Sequence, residues 1–500
     1  MTLLHGLHTV REVRAIEQAA LAAVPAGTLM RRAGAAAAAL AGRLLPAGGN
    51  VLVLAGPGNN GGDALETAAL LARGGGNVSV SVHFQGDAAS LPADAAAAHR
   101  RAMASPAVFQ AADMAAHWDL AIDGLFGIGL ARPIAGELAA LVLGLNALRC
   151  PVLSLDVPSG LDADTGAIVG PGGVAVRASH TLSFIADKPG LHTADGCDHA
   201  GQVELATLGV DAGLAPPLKA ALADPALFAP RLAPRLQNSH KGSFGDCAIL
   251  GGAHSMAGAV VLAARSAAMA GAGRVYAGFI DTPPAYDPLH PEIMCRRAAD
   301  LDLARAAVVA GPGMGAGVDG HALLAQALAS AAPLVLDADA LNLVAADAGL
   351  RAALAMRTAA TLMTPHPLEA ARLLGRSAAE VQADRLSAAR SLAASFNAMV
   401  VLKGAGSVMA RPDGFVVINT TGNPALATAG TGDVLAGLCG ALLAQHWAPW
   451  EALLGAVWLH GAAADLLVEQ GIGPVGLVAS ELPAAIRLCF NRLIRAQSGR

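Results

Sequence analysis

Two glycine-rich blocks hold the groups in this 500-residue sequence best suited to chemistry. The stronger one begins at Asn419 and reads NTTGNPALATAGTGDVLAGLCGALLAQ, with a Gly430-Thr431-Gly432-Asp433 turn opening a long apolar stretch. Backbone amides from Gly430 to Gly432, gathered at a helix N-terminus, make an anion hole able to stabilise a transferring phosphoryl group. Asp433 beside them can take the proton from an attacking hydroxyl. Upstream, Lys403, Gly404, Ala405, Gly406 and Ser407 join two strand-like runs, either to bring backbone and a positive charge to a nucleotide or simply as a glycine hairpin. His366, between two prolines in MTPHPLEA, suits a ligand contact or a satisfied loop histidine.

The second block, VLVLAGPGNNGGDALET from Val51, is a buried strand running into a Gly/Asn-rich turn and then a helix. Its amides and helix end favour an anion, and Asn59, Asn60 and Asp63 add polar side chains. Two further acidic loops follow strand-like runs, with Asp123 in AIDGLFGIGLARP and Asp156 in LSLDVPSGLDADTG. Loops at the carboxyl ends of parallel strands converge, so all three can form one site, and Asp, Asn and Ser oxygens suit a hard cation. Each aspartate taken alone reads equally well as a turn or helix cap.

Short apolar runs alternating with Ala-rich helical stretches must position these loops. VLVLAG, VSVSVHF, LAIDGLFG and PVLSLDVPSG precede a lapse at residues 212–237, and DCAILGG, RVYAGF, AAVVAGPGMG, PLVLDADAL, ATLMTPHP, MVVLKGAGSVMA and GFVVINTTG follow it. The expected fold is α/β, two tandem three-layer domains over residues 1–225 and 226–500, the first Rossmann-like, joined by a Pro/Ala-rich connection. Thr9 to Leu45 predicts two helices punctuated by Pro25 and Gly27.

The 54% hydrophobic content comes from Ala and Gly rather than long Leu/Ile/Phe runs, and the stretch Val434 to Trp447 is short and broken by Gly437 and Gly440, so no membrane span is expected. A net charge of −5 without an arginine stripe gives no nucleic-acid footprint. Six cysteines without a C-x-x-C pair suggest buried thiols, and the N-terminus forms no apolar signal region, so a cytoplasmic protein is expected. Lysine is scarce: Lys188, Lys219, Lys241 and Lys403 are the whole set.

LMRRAG, GPGNNGGDA, DGLFGIGLARP and DVPSGLDADTG, in this order, resemble the NAD(P)H-hydrate epimerase family over residues 9–215. The resemblance implies that hydrated nicotinamide nucleotide is bound by Asn59, Asn60, Gly61, Gly62 and Asp63, by the loop Gly127, Ile128, Gly129, Leu130, Ala131, Arg132 and Pro133, and by Asp156. It also implies that Asn60, Asp123 and Ser159 hold a potassium ion (K+). Asp156 is the candidate acid/base for inverting the hydrated carbon. Ala64 stands where the family usually has glycine, and a positive φ there would strain it by about a kcal/mol.

HKGSFGDCAILGGAHSMAGAVVLAARSAAMAGAGRV, AGPGMG, LDADALNL, TPHPLEAARLL, VLKGAG and the GTGDVLAG block resemble the ADP-dependent NAD(P)H-hydrate dehydratase family, whose fold is ribokinase-like, over residues 235–490. By that resemblance Lys403 to Ser407 and Gly432 contact the adenine nucleotide, while Ala259, Gly313, His366 and Asp433 face the hydrate, Asp433 as base. Mg2+ is expected with the ADP phosphates. Ala425 and Ala429 occupy positions commonly glycine in the family, but GTGD is intact. Together the halves imply repair of hydrated NADH and NADPH by an expected homo-oligomer. A ribokinase-like small-molecule kinase fused to a non-catalytic nucleotide-binding module is the alternative.

Overall fold

A computed structural model of the chain describes residues 4–74 and 77–497. It forms two compact units that divide between Ala220 and Ala221. The Pro/Ala-rich stretch, expected as an interdomain connection, is packed against the second unit. Ala221, Phe228 and Leu232 are almost fully buried, and the last two belong to the hydrophobic core of the second unit.

In the first unit, strands β1 (Gly49–Ala55), β2 (Val78–Phe84), β3 (Val108–Phe109), β4 (Leu120–Gly124), β5 (Val152–Leu155), β6 (His180–Phe184) and β7 (Gln202–Ala206) form one sheet, in the order β3-β2-β1-β4-β5-β6-β7. Every pairing in it is parallel. Helices cover both faces, as the strand residues show. Val51, Val53 and Ala55 pack on α2 (Thr28–Leu44), α3 (Asn59–Arg73) and α4 (Ala93–Met103), while Leu52 and Leu54 pack on α5 (Gly136–Asn146). The two N-terminal helices expected from the sequence are α2 and, before it, Val10–Leu21 (α1), whose Thr9 and Glu12 make a reciprocal capping box.

β6 and β7 carry no clear strand signal in the sequence. β6 reads HTLSF, and its Thr181 and Ser183 are fully buried yet satisfied, Thr181 donating to the Ala200 carbonyl and Ser183 to that of Ala186. Polar residues with such partners hide the apolar run that a two-sided strand normally shows.

In the second unit, β8 (Asp246–Gly251), β9 (Arg274–Phe279), β10 (Met294–Arg297), β11 (Ala307–Ala310), β12 (Leu334–Leu336), β13 (Thr361–Met363), β14 (Met399–Leu402), β15 (Val408–Ala410) and β16 (Val416–Ile418) lie in the order β16-β15-β14-β13-β12-β11-β8-β9-β10. Pairings are parallel except β14–β15 and β15–β16. One face packs on α6 (Ala257–Met269), α9 (Thr431–Ala444) and α10 (Pro449–Glu469); α8 (Arg385–Phe396) packs on β14 and β15, with α7 (Pro367–Leu374) beside it. Gly437 in α9 is a close-packing position, since a Cβ there would lie 2.0 Å from the Ala263 carbonyl oxygen of α6. Among the described residues one helix, α10, is long and apolar enough to cross a membrane, and 72% of its apolar window is buried inside the protein. Of the cysteines, Cys247, Cys439 and Cys489 are buried, but Cys197 is exposed on a short polar turn, against the expectation of buried thiols throughout.

Candidate active sites

The first site is a cleft of about 920 Å³ at the carboxyl ends of the parallel strands. Asn59, Asn60 and Asp63, the whole loop from Gly127 to Pro133, and Asp156 line it, so the three polar loops do converge. NNGGD is not a turn before a helix, as expected, but the first turn of α3 itself, because Gly58 is the N-cap. Gly61 and Gly62 therefore face packing rather than the cleft. A Cβ at Gly61 would lie 1.9 Å from the Gly56 carbonyl oxygen, and one at Gly62 2.6 Å from Met30 Cε. Ala64 is likewise a buried helical residue with no positive φ, so the anticipated strain is absent; its methyl packs against Gly124 of β4.

Asp156 follows β5 with φ +67°, a left-handed conformation that only Gly, Asn and Asp adopt readily. Its Oδ1 pairs with Lys188 Nζ, and its Oδ2 accepts from the Ile128 amide at 3.4 Å, tying the Gly127–Pro133 loop to it. Lys188 is fully buried and also donates to Ser183 Oγ at 2.9 Å and the Phe184 carbonyl at 3.0 Å. Around this pair, burial and then the neighbouring charge of Asp156 push both Glu17 and Asp63 above the usual carboxylate range, Asp63 well above it. Carboxyl groups of raised proton affinity close to a buried lysine are suited to proton transfer.

Asp123 and Ser159 lie beneath the cleft and are fully buried. Asp123 accepts from Ser154 Oγ (2.8 Å), Ser159 Oγ (2.6 Å), Ser159 N (2.9 Å) and Leu125 N (3.2 Å). Burial nevertheless raises its pKa, these donors only opposing the shift. Asn60, whose side chain would lie 3.3 Å from a Cβ on Gly127, is the exception, since its buried Oδ1 and Nδ2 have no hydrogen-bond partner among the described residues. An orphaned buried amide oxygen is a ligand that fits a hard monovalent cation.

In the second site, the strand-end loops of β11 to β14 meet the head of α9. Gly430, φ +89°, caps α9 without a side-chain cap, and among the described residues its amide and that of Gly432 stay open while Thr431 N donates to the Thr428 carbonyl. Asp433 sits in that turn, and burial, then the charge of Asp337, pushes its pKa up to about 7, with Lys403 opposing. Lys403 to Ser407 is the hairpin loop between β14 and β15, with Gly404 and Gly406 at positive φ. A Cβ on Gly432 would lie 3.3 Å from Lys403 Nζ, so the two glycine motifs touch. Lys403 is held by Asp337 at 2.8 Å, with Glu369 at 4.0 Å; burial alone would lower its pKa, but Asp337, Glu369 and Asp433 outweigh burial and raise it. Gly313 and Ala259 adjoin, a Cβ on the glycine lying 3.3 Å from Ala259 Cβ. His366 caps α7, its Nδ1 accepting from Leu368 N and Glu369 N, and burial, with Lys403, lowers its pKa.

Several groups that build these sites were not singled out from the sequence. Lys188 and Asp337 complete the two Lys–Asp ion pairs, and Thr364 Oγ1 donates to Asp337 at 2.7 Å. Glu369 is raised to about 7, chiefly by burial. His460, lowered to about 4 by burial, donates through Nε2 to the Thr431 carbonyl and braces the GTGD turn. Arg385 is buried beneath Gly404, whose Cβ would lie 2.7 Å from Nη1. The lysine pairs had one faint signal, the scarcity of lysine in the chain. Among the described residues no group of three or more His, Cys, Asp or Glu side chains is arranged to hold a metal ion.

The family model for NAD(P)H-hydrate dehydratase matches residues 247–486, and the one described as YjeF-related protein N-terminus matches residues 26–190. The chain is 35% identical to a bifunctional NAD(P)H-hydrate repair enzyme Nnr of Coxiella burnetii, an alignment covering 97% of this chain and 99% of that protein. It is 46% identical to an ADP-dependent (S)-NAD(P)H-hydrate dehydratase of Neisseria meningitidis over 52% of this chain and 90% of that one. Among solved structures, an ADP/ATP-dependent NAD(P)H-hydrate dehydratase from Bacillus subtilis, co-crystallised with ATP/Mg2+, is similar at 32% identity over 54% of this chain and 97% of that one, with a TM-score of 0.47.

Proposed function

The chain belongs to the bifunctional NAD(P)H-hydrate repair enzymes, and we propose that its two units divide the work, the epimerase in the N-terminal unit and the ADP-dependent dehydratase in the C-terminal one. The enzyme interconverts the R and S hydrates of NADH and NADPH and dehydrates the S hydrate with ADP, giving NAD(P)H, AMP and phosphate. Hydroxide is a poor leaving group and phosphate a good one, so phosphorylating the hydroxyl that hydration introduced drives the dehydration forward.

The observation that supports this division most strongly is the head of α9. Asp433, with a pKa of about 7, stands in the same turn as the open amides of Gly430 and Gly432. Asp433 takes the proton from the hydrate's hydroxyl as its oxygen attacks the β-phosphorus of ADP, and the amides stabilise the charge on the transferring phosphoryl group. Lys403 to Ser407 and Gly432 bind the nucleotide; Ala259, Gly313 and His366 hold the hydrate. Mg2+ bound with the ADP phosphates would offset their charge.

In the N-terminal unit, Asp156, held by Lys188, moves the proton at the hydrated carbon's substituents, while Asn59, Asn60, Asp63 and the Gly127–Pro133 loop bind the nucleotide. Asn60, Asp123 and Ser159 would hold K+, which would supply positive charge beneath the bound nucleotide; the partnerless Asn60 side chain supports this placement. The enzyme works in the cytoplasm, as a homo-oligomer, without nucleic-acid or membrane partners. The test mixes the full chain with both epimers of hydrated NADH, ADP, Mg2+ and K+, and follows recovery of dihydronicotinamide absorbance. Complete recovery is expected. Recovery that halts after one epimer would remove the epimerase, and none with ADP or ATP, with phosphorylation of an added alcohol instead, would favour the small-molecule kinase.

A further inference from the structure

The first cleft must accept a dinucleotide that carries a pyrophosphate and, for the NADPH hydrate, a further phosphate. Its charged lining is mostly of the wrong sign: Glu17, Asp63, Asp94 and Asp156 are all carboxyl groups. Lys188 lies behind Asp156 and is neutralised by it. Only Arg14 and Arg132 supply positive charge to the lining, and both are exposed. Neither makes a side-chain hydrogen bond or a close ion pair among the described residues, unlike Arg101, which is tied to Glu66, or Arg43, tied to Glu204.

Arg132 lies in the loop already assigned to the substrate, but Arg14 belongs to α1, an element with no assigned role. It stands one turn before Glu17 on the same helix face, and its guanidinium reaches the substrate loop: a Cβ on Gly129 would lie 3.9 Å from Arg14 Nη2. We propose that Arg14 is a substrate-binding residue of the epimerase that, with Arg132, holds a phosphate of the hydrated dinucleotide at the rim of the cleft. This rests on the epimerase reading of the N-terminal unit. The chemistry fits: a planar guanidinium with five donors recognises a phosphate bidentately, and an arginine with no hydrogen-bonded protein partner breaks no existing hydrogen bond to do so, its electrostatic neighbour Glu17 remaining on the same face. Because α1 is joined to α2 by only a short turn and capped by Thr9 and Glu12, the guanidinium is carried by a rigid helix rather than by a mobile loop.

The test measures epimer exchange by the full chain without ADP, so that dehydration is silent, for NADH hydrate and NADPH hydrate separately, in unmodified, R14A, R14K and R14E chains. R14A is expected to raise KM about tenfold or more with kcat nearly unchanged, R14E to raise it further, and R14K to restore part of the loss. The rise should shrink as salt is added. An equal rise for both hydrates identifies the pyrophosphate; a rise confined to NADPH hydrate identifies its additional phosphate. Unchanged KM for both hydrates in R14A and R14E overturns the proposal. If the unmodified chain exchanges neither hydrate, the epimerase reading itself fails. Equilibrium binding of NADPH hydrate to unmodified and R14E chains then decides the role of Arg14 separately, weaker binding supporting it and equal binding overturning it.

Discussion

Both units pair a lysine with an aspartate at the ends of parallel strands, yet they use the pair differently. In the N-terminal unit Lys188 grips Asp156, the candidate acid/base itself, so the reacting carboxylate is positioned by its own ion pair. In the C-terminal unit Lys403 is engaged by Asp337, and Asp433 stands apart, half-buried, with a pKa of about 7. One design fixes geometry; the other sets proton affinity, placing a base where its protonation changes near neutral pH. A Lys–Asp pair therefore marks a site without identifying which carboxylate reacts.

The sharpest way to break the comparison is to remove each carboxylate in turn. D433N is expected to lower ADP-dependent dehydration by about a thousandfold while leaving epimer exchange intact, and D156N to lower exchange by about a hundredfold or more while leaving dehydration of the pure S hydrate intact. Crossed effects would show that the two sites are not independent. Next, K188M should abolish the grip on Asp156 and, by leaving a half-buried carboxylate of the cleft unpaired, destabilise the N-terminal unit by about 1–2 kcal/mol, read from denaturant melts of the full chain. K403M, whose loss falls on Asp337, should weaken dehydration without touching exchange.

The third difference is in pH dependence. Asp433 acts as a base only when deprotonated, so dehydration should rise with pH through about 7 and then level off. Asp337 raises the Asp433 pKa, so D337N should move that inflection to lower pH in whatever rate remains. An inflection that stays in place would detach Asp433 from the proton transfer. The smallest effect is expected at Ala64: A64G places glycine inside α3 and removes a packed methyl, so it should cost about 1 kcal/mol and leave exchange within about twofold.

The contiguous motifs were legible in the sequence because their signal is local. GTGD before an apolar run and NNGGD after a buried strand each announce amides at a helix start, and the order of strands and helices follows from hydrophobic period. Lys188, Asp337, Glu369 and His460 were not legible as site residues. Each is a single polar residue whose partner is far away in sequence, and its burial becomes known only when the sheet brings strand ends together. The helix boundary mattered too. Reading NNGGD as turn rather than as the first turn of α3 assigned the cleft to Gly61 and Gly62, which pack inward, and suggested strain at Ala64 where there is none. Thr181 and Ser183 hid a central strand for the complementary reason, their polarity being satisfied inside the fold.

The left-handed backbone at Asp156 also limits how this position can change over evolutionary time. Asparagine and glycine share its tolerance for φ near +67°, whereas glutamate, though chemically nearer, does not. The substitutions that preserve the shape of the loop are thus those that discard the carboxylate. A lineage drifting at this codon would keep the fold of the cleft while discarding the carboxylate on which the proposed epimerisation depends.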